Sequence, residues 1–161
     1  MPLLLDLLRH GDALPADARG DDVRVLSPAG ERAVTEVATA ASETPSRPTR
    51  AFASPLVRAR QSAERFVSEV APGSGIETLE ALDPDSDPDD VLAALAELGV
   101  ETGHVLLVGH QPLLGALASH LTGDPAPPVM PATLIRIECQ GPPRRGAGRI
   151  VLEIRPGRQV S

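Results

Sequence analysis

One short signal recurs along this chain: a polar residue followed by proline, set just ahead of an amphipathic run. It occurs at Ser27-Pro28, Ser54-Pro55, Asp87-Pro88 and Gln111-Pro112. A side-chain oxygen at a helix N-cap accepts a first-turn N–H, and proline suits the first helical position, where its missing N–H has no partner to lose. Each signal therefore predicts a helix start. Val34, Val37, Ala38 and Ala41 give the first helix an apolar face at helical spacing, and Pro45, Ser46 and Pro48 end it. Ala59, Ser62, Ala63, Phe66, Val67 and Val70 do the same for the second, before Pro72-Gly73. The third runs through Leu98 to Gly99, and the fourth to about Leu121.

Strand-length apolar runs lie between these helices: Leu3 to Leu8, Arg50 to Ala53, Ile76 to Leu79 and His104 to Val108. A proline-rich connection from Gly123 to Pro131 follows. Thr133 to Cys139 and Arg149 to Arg155 then read as two strands joined by a loop of Gly, Pro and Arg. Strands alternating with helices predict an α/β fold: a single-domain three-layer α/β/α sandwich, its sheet mostly parallel, with an antiparallel C-terminal edge hairpin. At 161 residues the chain suits one domain spanning 1–161. With no Trp or Tyr and only two Phe, its core must be built from Leu, Val, Ile and Ala.

Composition removes several functions. Every basic residue is Arg, so lysine chemistry is excluded. A net charge of −7 argues against nucleic acid or an anionic membrane as partner, since both need a basic face. The single cysteine, Cys139, allows neither an internal disulfide nor a cysteine-rich zinc site. The apolar start is short, is interrupted by Asp6 and lacks a basic leader, so neither a signal peptide nor a membrane span is expected and the location expected is cytoplasmic.

Three predicted strands end in chemistry-bearing residues: Arg9-His10-Gly11, Ser54-Pro55 with Arg58 beyond it, and Gly109-His110. In open α/β sheets ligands bind at the carboxyl ends of strands, so the topology should bring these segments to one rim. Two histidines with two arginines suit phosphoryl transfer. A neutral imidazole attacks phosphorus near neutral pH without a metal or other cofactor, and guanidinium matches phosphate oxygens in bidentate fashion. Gly11 allows a sharp turn and a close backbone approach to the phosphate.

Taken together, Arg9-His10-Gly11, Ser54-Pro55-Leu56-Val57-Arg58-Ala59 and Val108-Gly109-His110-Gln111-Pro112 resemble the histidine phosphatase superfamily, which has the phosphoglycerate mutase-like fold. The Arg9-His10-Gly11-Asp12-Ala13 start and Arg24-x-Leu26-Ser27-x-x-Gly30 resemble most its SixA-type phosphohistidine phosphatases. The resemblance implies a metal-independent phosphatase that passes through a phosphohistidine intermediate. His10 would be the nucleophile, Arg9 and Arg58 would bind the phosphoryl oxygens, and His110 would stabilise the transferring group. Arg24 would reach the pocket rim, and Gly11 would lie against the substrate. The chain has no room for the lid insertion of larger members, so an open, shallow site is expected. SixA-type members carry a Glu after the third strand as general acid; the matching position here is Ala81. Glu80, Asp83 and Asp12 remain the candidate acids.

Other readings compete. Substrates in keeping with this chemistry are a protein carrying phosphohistidine or a small phosphate ester, and a binding module without turnover is the non-enzymatic alternative. Cys139 and Arg145 match the C-x5-R spacing of cysteine-dependent phosphatases, but Pro142 and Pro143 remove two of the N–H donors such a loop needs. Asp83, Asp85 and Asp87 mimic a calcium loop, yet Pro88 stands where that loop needs Gly and Ala94 where it needs Glu. His104 and His120 lack the context of the other two histidines and read as structural or solvated. Arg60 and Arg65 fit an exposed helix face. Arg58 falls in a first helical turn, where a cation opposes the helix dipole, which favours a ligand role.

Overall fold

The computed structural model describes residues 2–160. In chain order the elements are β1 (Leu3–Arg9), α1 (Pro28–Ser42), β2 (Arg50–Ala53), α2 (Val57–Val70), β3 (Glu77–Thr78), α3 (Pro88–Glu97), β4 (Gly103–Gly109), α4 (Leu113–Thr122), β5 (Leu134–Cys139), β6 (Gly148–Arg155) and β7 (Arg158–Val160). The strands form one sheet in the order β3-β2-β4-β1-β5-β6-β7. The first four of that order run parallel, and β5, β6 and β7 add on antiparallel. The expected edge hairpin is therefore present as β5 and β6, and a further strand, β7, extends it. Its signal was the Pro156-Gly157 turn, where Gly157 takes a φ of 77°.

Two of the helix starts behave as their sequences predict. Ser27 Oγ accepts the Gly30 N–H at 3.0 Å to cap α1. Asp87 and Asp90 exchange side-chain-to-backbone bonds of 3.0 Å each at α3, so the aspartate run is a capping box and not a calcium loop. α2 begins two residues later than expected, at Val57, and α4 one residue later, at Leu113. Ser54 Oγ accepts the Leu56 N–H at 3.2 Å, which closes a turn ahead of the helix rather than its first coil.

Helices cover both faces of the sheet. Leu8, Leu106 and Leu134 pack with Val34 and Ala38 of α1 and Phe66 of α2. On the opposite face Leu5, Leu7 and Leu107 meet Leu95 of α3 and Leu114 and Leu117 of α4. β1 lies between β4 and β5 and is buried on both faces, which is why it reads as an almost unbroken apolar run.

Asp6 breaks that run and is fully buried. Arg136 grips it with Nε–H at 2.7 Å and Nη2–H at 3.2 Å, and His104 Nε2 lies 2.8 Å away. Arg136 also donates to Thr44 Oγ1 at 3.1 Å, and His104 Nδ1 meets Ser46 Oγ at 2.8 Å. The network ties the loop after α1 to the middle of the sheet. His104 is structural.

Backbone register explains where the site lies. Arg9 is level with Gly109 and Ala53 with Val108, so the carboxyl ends of β1, β2 and β4 finish on one line. The chain then leaves β1 for α1 on one face and leaves β4 for α4 on the other. A crevice opens where neighbouring connections diverge in this way. Cys139 sits at the other end of the sheet, opposite Leu3, and is fully buried. Burial pushes its thiol pKa up and the sulfur is remote from the histidines, in keeping with the rejection of the cysteine-phosphatase reading.

Candidate active site

His10 follows β1 directly, and its backbone N–H donates to Gly109 O at 3.1 Å, which ties it to the end of β4. Its Nδ1 lies 2.7 Å from Gly11 O. A carbonyl can only accept, so the imidazole proton is on Nδ1. Arg58 donates its Nε–H to His10 Nε2 at 3.3 Å, which requires a lone pair there. Two independent contacts thus select one tautomer, with Nε2 unprotonated. Burial lowers the His10 pKa most; the Gly11 bond, next in size, raises it, and the charges of Arg58, Arg9 and Arg24 lower it further, to about 4. At neutral pH this imidazole is uncharged, with its Nε2 lone pair available.

His110 lies across from it, with ring centroids 5.0 Å apart and planes at 59°. Its Nε2 meets Ser54 Oγ at 2.7 Å, so the turn after β2 orients a residue at the end of β4. Burial, His10 and Arg58 hold its pKa at about 3. Its Nδ1 is buried with no hydrogen-bond partner among the described residues, and the same holds for Arg9 Nε. Arg9 is fixed by its Nη1–H donating to Val129 O at 2.9 Å.

Arg58 is buried in the first turn of α2, where it gives two more bonds to Asp21: Nη1–H to the carbonyl at 2.9 Å and Nη2–H to Oδ2 at 3.0 Å. Ser62, one turn on, accepts the Gly11 N–H at 3.1 Å and donates to Arg58 O at 2.8 Å. It locks the Arg-His-Gly turn to α2. Asp21, Ser54 and Ser62 were not among the sequence-derived site residues. Ser54 and Ser62 read there as cap and helix-face positions, and Asp21 lay in an unpatterned polar loop.

A pocket of about 240 Å³ lies at this rim, lined by Arg9, His10, Arg58 and His110 together with Asp12, Ala13, Arg24, Pro84, Gln111 and Pro131. Larger grooves of about 390 and 460 Å³ run along α1 and α2 without a histidine or a cysteine, and one of about 540 Å³ beside α4 carries the single histidine His120. Arg24 reaches the pocket while donating its Nε–H to Leu14 O at 2.8 Å, so it also staples the loop. Of the three candidate acids only Asp12 lines the pocket. Its Oδ2 accepts the Ser27 hydroxyl at 2.9 Å. Glu80 is exposed on a 3-10 turn, and Asp83 Oδ1 accepts the Asp85 N–H at 3.0 Å; neither lines the pocket.

Gly11 does not line the pocket either. A Cβ there would lie 2.7 Å from Gly30 O and 3.0 Å from Val34 Cγ2, so the close approach that needs glycine is to α1 and not to a ligand. Among the described residues no group of three or more His, Cys, Asp or Glu is placed to hold a metal ion, and no helix is long and apolar enough to cross a membrane. The arrangement can present one neutral imidazole to an electrophile beside three guanidinium groups.

No protein-family model matches the chain. The phosphohistidine phosphatase SixA of Escherichia coli (strain K12) is 32% identical over 130 residues, which is 80% of each protein. Among solved structures, the protein histidine phosphatase SixA complexed with tungstate superposes with a TM-score of 0.82 at 28% identity, covering 96% of this chain and 97% of that one. A mycobacterial glucosyl-3-phosphoglycerate phosphatase shares the fold, with a TM-score of 0.66 at 18% identity over 93% of this chain and 97% of its own.

Proposed function

The chain belongs to the SixA family of histidine phosphatases and is a phosphohydrolase, and from that membership we propose that it removes phosphate from protein phosphohistidine with His10 as nucleophile. The observation that carries the mechanism is the tautomer of His10, whose proton is committed to Gly11 O and whose Nε2 lone pair faces Arg58.

His10 Nε2 attacks phosphorus and forms a new P–N bond as the substrate's P–N bond breaks. The leaving imidazole takes a proton from solvent or from Asp12. The His10 ring becomes cationic as it accepts the phosphoryl group, and its Nδ1–H bond to Gly11 O shortens the climb by drawing that charge. Arg9 and Arg58 hold the phosphoryl oxygens. The buried Arg9 Nε and His110 Nδ1 are polar atoms that such oxygens would satisfy. Tungstate is a tetrahedral oxyanion like phosphate, and the SixA structure that carries it has the same fold. Water then attacks the phosphorylated His10 and releases phosphate.

Two observations support a protein phosphohistidine over a small ester. Ala81 stands where the family's acid is expected, and an alkoxide needs that acid, a contribution of typically ~10²–10⁴-fold. A phosphohistidine leaves as an imidazole, which protonates near neutral pH. The exposed large hydrophobics among the described residues, Leu14, Val25 and Met130, are also the chain neighbours of the pocket residues Ala13, Arg24 and Pro131. Exposed apolar side chains next in sequence to pocket residues favour a protein surface over a sugar phosphate as the substrate.

The test is a panel of substrates at equal enzyme concentration. A phosphohistidine-bearing phosphotransfer domain should exceed glycerol and sugar phosphates in kcat/KM by at least about tenfold, or about 1.4 kcal/mol of transition-state discrimination. Equal or reversed preference would transfer the assignment to small metabolites. Binding of every member without turnover would leave a phospholigand-binding module.

A further inference from the structure

A guanidinium group offers two forks to an anion: the end-on pair Nη1 and Nη2, and the side-on pair Nε and Nη2. Arg58 has both in use. The end-on pair is spent on Asp21, through the carbonyl at 2.9 Å and Oδ2 at 3.0 Å, while Nε–H points at His10 Nε2 at 3.3 Å. Arg58 is 6% exposed, yet the carboxylate that orients it is at the surface, with a side chain 57% exposed. The other oxygen of that carboxylate, Oδ1, accepts from Arg24 Nη1 at 3.2 Å. Arg24 in turn is stapled to the loop backbone through Leu14 O at 2.8 Å. A continuous set of contacts thus runs from the loop through Arg24 and Asp21 to Arg58 and ends at the imidazole.

We propose that Asp21 is a positioning residue: by holding the end-on fork of Arg58 it turns the side-on fork toward the phosphorus transferred to His10. The proposal rests on the reading of His10 as nucleophile. Without the Asp21 carboxylate the guanidinium keeps only its Nη1–H bond to the backbone carbonyl of residue 21, so its Nη2 end can turn away from the side-on geometry; the ground state is still bound, but the oxygens of the transition state are less well aligned. Such a loss is felt in kcat more than in KM. Asp21 is not the missing acid. Hydrogen bonds from Arg24 and then Arg58 hold its carboxyl below the usual range, so it is ionised at neutral pH, and it does not line the pocket.

The experiment compares the full chain with Asp21→Ala and Asp21→Asn, by steady-state kinetics on a phosphohistidine-bearing protein and by ¹⁵N NMR of the Arg58 guanidinium. In Asp21→Ala kcat should fall about tenfold, while KM changes less than about threefold. Asp21→Asn keeps an oxygen that can accept from Nη2 and should recover part of that loss. The Arg58 Nη2 protons, expected to be separated by restricted rotation in the native chain, should average in Asp21→Ala, where only the Nη1–H bond to the backbone carbonyl remains, and stay separated in Asp21→Asn. Unaltered Arg58 spectra in Asp21→Ala would overturn the proposal, as would a raised kcat/KM, which would make Asp21 a competitor for the phosphate site. If the native chain turned over no phosphoryl compound, the nucleophile reading would fall, and the spectra alone would still decide whether Asp21 orders Arg58.

Discussion

Acid should expose the cost of keeping His10 neutral. An imidazole titrates near 6.5 in an unfolded chain, and in the folded protein burial and three neighbouring arginines lower His10 to about 4. Between those values the unfolded state binds the proton and the folded state does not. Stability contributed through this group is therefore undiminished above pH 6.5 and declines as pH falls toward 4. At about 1.36 kcal/mol for each tenfold difference in proton affinity, the gap corresponds to a ceiling of about 3 kcal/mol, of which about 2 kcal/mol should be lost by pH 4.5. His10→Ala lacks this imidazole and should escape its share of the loss, while the contribution of His110 is common to both proteins. Urea unfolding of both proteins at pH 7.0 and 4.5 measures it, since the midpoint shift at constant slope reads stability directly. The native chain should lose about 2 kcal/mol more than the variant over this interval. Parallel losses in the two proteins would mean that His10 titrates as an ordinary imidazole, and the account of its environment would be refuted.

Further substitutions test other parts of the structure. Cys139→Ser should retain full kcat, because the thiol is buried at the opposite end of the sheet from His10; a folded but inactive variant would revive the cysteine mechanism. Arg136→Ala leaves the fully buried Asp6 carboxylate without its bidentate partner and should cost about 3 kcal/mol in denaturant unfolding, with kcat per folded molecule unchanged; a loss below about 1 kcal/mol would show the network to be dispensable.

Much of this molecule was readable from local signals because its cues are short-range. Ser27-Pro28 and Asp87-Pro88 specify their own helix starts through bonds three residues away. Arg9, His10, Arg58 and His110 were findable because each sits at or just past a strand end, and strand ends converge by topology alone. What was not readable depends on contacts across the chain. Asp21 reaches Arg58 over 37 residues, and Ser62 reaches Gly11 over 51, from a position whose spacing matched any buried helix face. Gly11 shows the same limit in reverse. Its glycine was legible as a close approach, but only the packed α1 shows what approaches it. β7 is three residues long and falls below what periodicity can register.

The central claim is that the phosphoryl group passes through His10, and trapping it there is the direct measurement. The native chain should be mixed with a ³²P-labelled phosphohistidine protein, quenched in alkali within the first turnover, digested and mapped by mass spectrometry. The account predicts label on the peptide containing His10, stable in base and released by acid, with no label and no turnover in His10→Ala. Turnover that proceeds undiminished in His10→Ala, or label found on any other residue of the native chain, would contradict it.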